Sequence, residues 1–421
     1  MIEIKKPLKT DILIIGGGPG GLAAAVKAWE SGVRDIVLME REEYLGGILP
    51  QCIHSGFGLF EFKKEMTGPE YGQVFIDRIR ETGVNIKTGA MALKIEEDLS
   101  VKYASGKEGI GTISPRSIIL ALGCRERTRG QINLPGTRPS GIFTAGVAQR
   151  MVNIEGYLPG RRIVILGSGD IGLIMARRLH LEGCDVVGVY ELMPYSTGLI
   201  RNIYQCLMDY KIPLNLKRTV TDIHGIKRLE AIEISEVGKD LIPVSKKPET
   251  IKCDTLLLSV GLICENELLK TTSVEIEERT GGPVVQEDFM TTKDGIFSCG
   301  NSLFVNDIVD NVTEVAYKAA EGAIGFINGR SSDGVKQVKV KNGKNVAYAV
   351  PQKVTTEKDV KFYIRPSRPV SSPVLEFSGV NIRKNLKYAV PGELLQVKVD
   401  KRHFEEEIEE IEIRIETAGE T

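Results

Sequence analysis

Two stretches of this chain share one plan, and that plan leaves a polypeptide few folds to choose from. Ile12-Leu13-Ile14-Ile15 runs into Gly16-Gly17-Gly18-Pro19-Gly20-Gly21, and Ile163-Val164-Ile165-Leu166 runs into Gly167-Ser168-Gly169-Asp170-Ile171-Gly172. Each apolar run has the length of a buried strand, and each turn leads into a helical pattern, from Leu22 to Glu30 and to about Glu182. Ser31-Gly32 and Gly183 stop the helices, and second strands follow at 36–39 and 186–190. Both are read as strand, turn, helix, strand.

Gly16, Gly18 and Gly21 fit G-x-G-x-x-G, as do Gly167, Gly169 and Gly172. In that pattern the first glycine permits a tight turn, the second lets a pyrophosphate reach the backbone, and the third lets helix pack on strand. The helix N-terminus then faces the phosphates. Glu40 stands 24 positions after Gly16, and Glu191 stands 24 positions after Gly167. A carboxylate there accepts from a ribose diol and repels a 2′-phosphate. With Leu192 and Met193 supplying no cation after Glu191, the second site is expected to take NAD(H) more than NADP(H).

The glycine content agrees. Of 45 glycines, five (334, 343, 379, 392, 419) follow Arg330, so the surplus lies in the nucleotide-binding part. Gly68-Pro69-Glu70 opens an expected helix to Thr82, and short strands are expected from Ile86 to Gly123. The Arg-, Gly- and Pro-rich stretch Cys124 to Gly160 reads as a crossover between domains. Apolar strands then end in glycine at Gly261 and Gly300, and Asn311-Val312-Thr313-Glu314 has the spacing of a helix cap, with a helix to about Ile327. Past Gly329 short strands and prolines indicate a separate all-β domain, whose tail 410–416 alternates as a half-buried strand does.

Composition removes several function classes. Lys+Arg 55 against Asp+Glu 56 gives a net charge of -1, so no nucleic-acid partner is expected. The apolar stretch around Leu256 to Cys264 is far short of the ~20 residues of a membrane span, and residues 1–10 lack the apolar centre of a signal peptide. Seven cysteines without a C-x-x-C pair suit a reducing cytoplasm, and with four histidines no metal centre is expected.

With two dinucleotide sites and glycines closing the later strands, residues 11–328 resemble the flavoprotein superfamily of pyridine nucleotide-disulfide oxidoreductases. The resemblance implies an α/β fold with two Rossmann-like domains of three-layer ββα/α-β type. The second is inserted in the first, and an all-β sandwich-like domain follows. The expected boundaries are 1–125 with 265–330 for FAD, 126–264 for NAD(H), and 331–421 for the β domain. FAD contacts are implied at Gly16, Gly18, Pro19, Gly21, Glu40, Arg41, Gly47, Ala121, Gly123, Gly300, Asn301, Val312 and Thr313. NAD contacts are implied at Gly167, Gly169, Asp170, Gly172, Glu191 and Gly261. Asn301 stands where many relatives carry Asp, and the helix opening at 312–314 would aim its positive end at the flavin.

The stretch 123–127, Gly-Cys-Arg-Glu-Arg, with Phe143 to Gln149, looks like the subgroup of opine oxidase, hydrogen cyanide synthase and heteromeric sarcosine oxidase large subunits, with relatives associated with glycerol-3-phosphate dehydrogenase-like proteins. Its arginines suit a salt-bridge network as well as anion binding. The subgroup implies an oligomeric assembly in which a small-molecule substrate, of glycerol-3-phosphate or amine/amino-acid type, is handled by a second flavoprotein or iron-sulfur protein. Where relatives place a redox cysteine pair this chain has Cys52 alone. Two alternatives therefore stay open: a self-sufficient NADH oxidase or peroxidase in which Cys52 cycles and His54 helps hold a thiolate, and a flavin-containing relay or assembly component. The β domain is expected to dock partners or copies.

Overall fold

In the computed structural model, the residues described are 6–244, 247–330, 335–404 and 408–418. The chain forms two compact units, one of residues 1–124 and 264–421, the other of residues 125–263. The expected start of the β domain at 331 lies outside the described residues.

In the first unit the strands run in the spatial order Asn85–Lys87, Ile36–Met39, Leu8–Ile15, Gly109–Leu120, Val101–Ser105, Ala90–Ile95. The first four are parallel neighbours, whereas 101–105 and 90–95 return antiparallel. Gly109–Leu120 is long enough to serve two partners on the edge away from Leu8–Ile15: its first half pairs with 101–105, and its end pairs in parallel with Ile296–Ser298. One face of this sheet carries the helices Pro19–Glu30, Gly68–Arg80 and Val309–Ile327. Small buried residues, Ala23, Ala24 and Ala25 on one helix and Ala319, Ala320 and Ala323 on another, let these helices sit close. The helix 68–80 begins at a reciprocal cap. The Thr67 backbone N–H donates to Glu70 Oε2 at 2.7 Å, and Glu70 N–H donates to Thr67 Oγ1 at 3.4 Å.

The helix expected to be capped by Asn311 starts earlier, at Val309, and has no side-chain cap. Asn311 Oδ1 instead accepts from Gln396 Nε2 at 2.7 Å. Asp310 accounts for the early start. Its carboxylate, in the first turn, accepts from the backbone N–H groups of Gly58, Phe60 and Glu61 at 3.2, 3.0 and 2.8 Å. The helix N-terminus favours that negative charge, and the three bonds fix the loop beside it.

The C-terminal strands form a five-stranded and a three-stranded sheet around a core of their own, in which Ile411, Ile413 and Ile415 of Glu410–Thr417 are fully buried. The alternating tail is thus a strand with its apolar face inward. Tyr348, Val350 and Tyr363 pack instead into the core of the nucleotide-binding fold. Arg365 anchors this junction: its guanidinium donates to Asp307 Oδ2 at 3.0 Å, Pro391 O at 2.9 Å, Val305 O at 3.0 Å and Tyr348 Oη at 3.2 Å. A buried cation so fully bonded is costly to orphan, and the C-terminal strands belong with the first unit.

The second unit repeats the plan on a smaller scale. Its parallel sheet runs Ile142–Thr144, Thr255–Leu258, Arg162–Leu166, Asp185–Glu191, Leu214–Leu216, and a separate antiparallel sheet holds Arg218–Gly225, Leu229–Glu236 and Glu249–Lys252. The expected crossover 124–160 is more than a connection: it supplies the edge strand 142–144 and the helix Ala145–Asn153, whose Ala148 enters the core. No described helix is long and apolar enough to cross a membrane.

Candidate cofactor sites

The first turn is built by collisions that only glycine escapes. Gly16 has φ +109°, and a Cβ there would lie 2.2 Å from Ala121 O. A Cβ on Gly21 would lie 1.7 Å from Gly16 O, because helix 19–30 crosses directly over the end of its strand. Gly18 behaves differently. It is the N-cap of that helix in ordinary extended backbone (φ -75°, ψ -172°), and a Cβ there meets nothing nearer than Gly47 Cα at 3.8 Å. The fold itself gives no reason for glycine at 18, so the open space at the helix N-terminus fits a diphosphate resting on the backbone. Pro19 is the first helical residue.

Glu40 ends its strand with its side chain turned back over the turn. Oε2 accepts from Gly17 N–H at 2.6 Å and Oε1 from Glu42 N–H at 2.8 Å. A carboxylate has about four lone-pair sites, so acceptor capacity remains for a diol. Gly17, missed by the sequence pattern, is glycine for a reason: a Cβ would lie 2.7 Å from Leu45 Cδ2 and 3.0 Å from Glu40 Cβ. The loop after the strand closes on the turn, with Gly46 N–H donating to Gly17 O at 2.9 Å and a Cβ on Gly47 falling 2.9 Å from Gly18 Cα. Arg41 is exposed. A cavity of about 560 Å³ lies between that loop and helix 68–80, lined by Glu43, Tyr44, Leu45, Leu49, Ile76 and Ile86 among others and not by the turn 16–21.

The later strand ends converge on the same region. Gly123 has φ +76° with open space around it, and Gly300 has φ +64° with Val312 Cγ1 3.1 Å from where its Cβ would be. Val312 also lies 3.4 Å from a Cβ placed on Gly20. Thr313 is fully buried, its Oγ1 2.7 Å from Tyr71 Oη, and with the helix opening at 309 both residues lie inside it. Asn301 Oδ1 accepts from Asn306 N–H at 3.0 Å and Nδ2 at 3.3 Å, and Asn301 Nδ2 donates to Cys124 Sγ at 3.5 Å.

Cys52 closes the short helical turn Leu49–Gln51, and its thiol donates to Ile48 O at 3.4 Å. Burial pushes that thiol up to about 12, so it stays protonated at neutral pH. His54 is half-buried, with Nδ1 3.1 Å from Ser55 O and its ring 5.0 Å from that of Phe57.

In the second unit Gly167 has φ +92°, and its Cβ would lie 2.1 Å from Ser259 O; a Cβ on Gly172 would lie 2.6 Å from Ser259 Cβ. Gly169 is the N-cap of helix Asp170–Leu181, and its Cβ would meet Ser259 Oγ at 3.1 Å. Glu191 is turned back as Glu40 is. Its Oε2 accepts from Ser168 N–H at 2.9 Å and Ser168 Oγ at 2.6 Å, and its Oε1 from Met193 N–H at 2.9 Å. Ser168 Oγ in turn accepts from Thr197 N–H at 3.0 Å, and Asp170 Oδ1 accepts from Leu199 N–H at 2.9 Å and Asn202 Nδ2 at 2.6 Å. Gly261, φ +102°, accepts from Arg127 N–H at 3.0 Å. Ser168, Thr197, Asn202 and Ser259 carry no motif signal, because their roles depend on loops that meet in space.

Residues 10–323 match the family model described as pyridine nucleotide-disulphide oxidoreductase. A subunit of the opine oxidase from Agrobacterium tumefaciens (strain Ach5) is 25% identical over 312 residues, covering 69% of this chain and 61% of that protein. Hydrogen cyanide synthase subunit HcnB of Pseudomonas protegens is 26% identical over 287 residues, covering 62% and 59%. The match therefore spans about 60% of the length of these relatives. The crystal structure of T. acidophilum thioredoxin reductase superposes with a TM-score of 0.62 at 22% identity, over 75% of this chain and 97% of that one, which places the fold.

Proposed function

The chain belongs to the pyridine nucleotide-disulphide oxidoreductase family, and from that premise we propose that it is an FAD-dependent oxidoreductase transferring a hydride between NAD(H) and flavin. The observation that supports this most is the pair of turns in which glycine is forced by collision on either side of an N-cap glycine, each with a carboxylate bonded back onto the turn. Gly16, Gly18, Gly21 and Glu40 would hold FAD; Gly167, Gly169, Gly172 and Glu191 would hold NAD(H). Bound flavin supplies a ring able to take up or return a hydride, which leaves the protein the tasks of orientation and water exclusion. Glu191 accepts from a ribose diol and repels a 2′-phosphate, which favours NAD(H) over NADP(H).

Electrons then pass to or from a separate partner protein, either a second flavoprotein or an iron-sulfur protein, that handles a small metabolite of glycerol-3-phosphate or amine/amino-acid type. The support is that relatives of this chain are themselves named as subunits. The assembly works in the cytoplasm, where cysteines stay reduced. A peroxidase built on Cys52 has the burial of that thiol against it. Purification tests the reading: the protein is expected to be yellow or to become so with added FAD, and to reduce an artificial dye with NADH. A chain that stays colourless with FAD contradicts it, and peroxide turnover lost in Cys52→Ser would favour the peroxidase instead.

A further inference from the structure

Cys124 and Cys264 stand at the two points where the chain leaves the first unit and returns to it. They lie on the short strands Cys124–Glu126 and Leu262–Cys264, which pair as a two-stranded ladder. Glu265 N–H donates to Gly123 O at 3.0 Å, and Arg127 N–H donates to Gly261 O at 3.0 Å. Partner numbers fall as chain numbers rise, so the ladder is antiparallel, with 123 opposite 265 and 127 opposite 261 as hydrogen-bonded pairs. Cys124 and Cys264 are then directly opposite in a non-hydrogen-bonded pair, the arrangement that brings Cα atoms to about 4.5 Å and side chains closest. That separation lies inside the range a disulfide spans. The two sulfurs feel each other: a charge on Cys124 adds to the burial that pushes Cys264 up to about 12.

We propose that Cys124 and Cys264 are a reversible dithiol/disulfide site, oxidised by low-molecular-weight disulfides, that covalently joins the two crossings between the units. The pair is asymmetric in a way that assigns roles. Cys264 is 4% exposed and its thiol donates to Thr280 O at 3.2 Å. Cys124 is more exposed, so a small disulfide reaches it first, and Asn301 Nδ2 donates to its sulfur at 3.5 Å. Cys124 gives up its proton and attacks one sulfur of the small disulfide; that S–S bond breaks, and one small thiol leaves with the proton. Cys264 then loses its proton and attacks Cys124 Sγ, expelling the second small thiol. Two protein thiols are oxidised, and one small disulfide is reduced to two thiols.

The test treats the full-length protein, natively folded, with oxidised glutathione, blocks remaining thiols and maps peptides without reduction. The expected product is a Cys124–Cys264 cross-link, assigned by fragmentation because Cys253 shares a tryptic peptide with Cys264. It should vanish on adding dithiothreitol, persist in Cys52→Ser and be absent in Cys264→Ser, where Cys124 keeps glutathione as a mixed disulfide. Wild-type protein carrying only mixed disulfides, or cross-linked through other cysteines, would overturn the proposal without recourse to any variant.

Discussion

The two glycine turns repeat one spacing and one carboxylate position, yet they are held by different means. Around the first, the Glu40 carboxylate is the one side chain among the described residues that bonds the turn, accepting from Gly17 N–H; Gly46 N–H bonds Gly17 O through backbone alone, and helix 19–30 has no acidic residue in its first turn. Around the second, side chains do the holding. Ser168, Asp170 and Ser259 bond Glu191, Thr197, Leu199, Asn202 and Gly172, and Asp170 places a negative charge in the first turn of its helix. A helix N-terminus attracts anions, and a carboxylate sitting there weakens the attraction. The pairing suits a first site that retains its dinucleotide and a second that exchanges one.

Five substitutions sharpen or break that contrast. The largest effect is expected for Gly21→Ala, whose new Cβ would lie 1.7 Å from a backbone oxygen. We expect a loss of roughly 3 kcal/mol in stability by thermal unfolding, together with loss of flavin; the second-turn equivalent Gly172→Ala meets a side chain and should cost less. Gly18→Ala separates binding from folding: stability should move by no more than about 0.5 kcal/mol, because the Cβ has room, while flavin content collapses. If both stay unchanged, no diphosphate rests there. Glu191→Gln should weaken NADH binding by about 1.5 kcal/mol, by loss of charge-assisted bonds, and narrow the preference over NADPH, measured by titration. Asp170→Asn is expected to act the other way, tightening NADH up to about fivefold. Unaltered affinity would remove Asp170 as a cause of the contrast.

Both turns are legible in the sequence because backbone contacts such as Gly21 on Gly16 O admit no side chain, and that prohibition is written as glycine. The carboxylates are legible for a related reason, since strand length fixes where Glu40 and Glu191 fall. What the sequence hides is long-range. Asp310 starts its helix early by bonding a loop about 250 positions back, which defeats the local cap spacing of Asn311. The helix 145–153 is obscured by the Arg-, Gly- and Pro-rich chain around it, and becomes evident only when Ala148 meets a core. The C-terminal strands look separate in composition, yet Tyr348, Tyr363 and Arg365 reach into the first core and its rim. The facing of Cys124 and Cys264 across 140 residues is equally invisible before the ladder register is known.

Anaerobic mixing of the FAD-loaded protein with NADH, following the oxidised-flavin absorption band, tests the central claim most directly. The account predicts rapid loss of the band with NADH, slower loss with NADPH, and slower loss with NADH in Glu191→Gln. A flavin band that NADH leaves untouched in the loaded wild-type protein would contradict it.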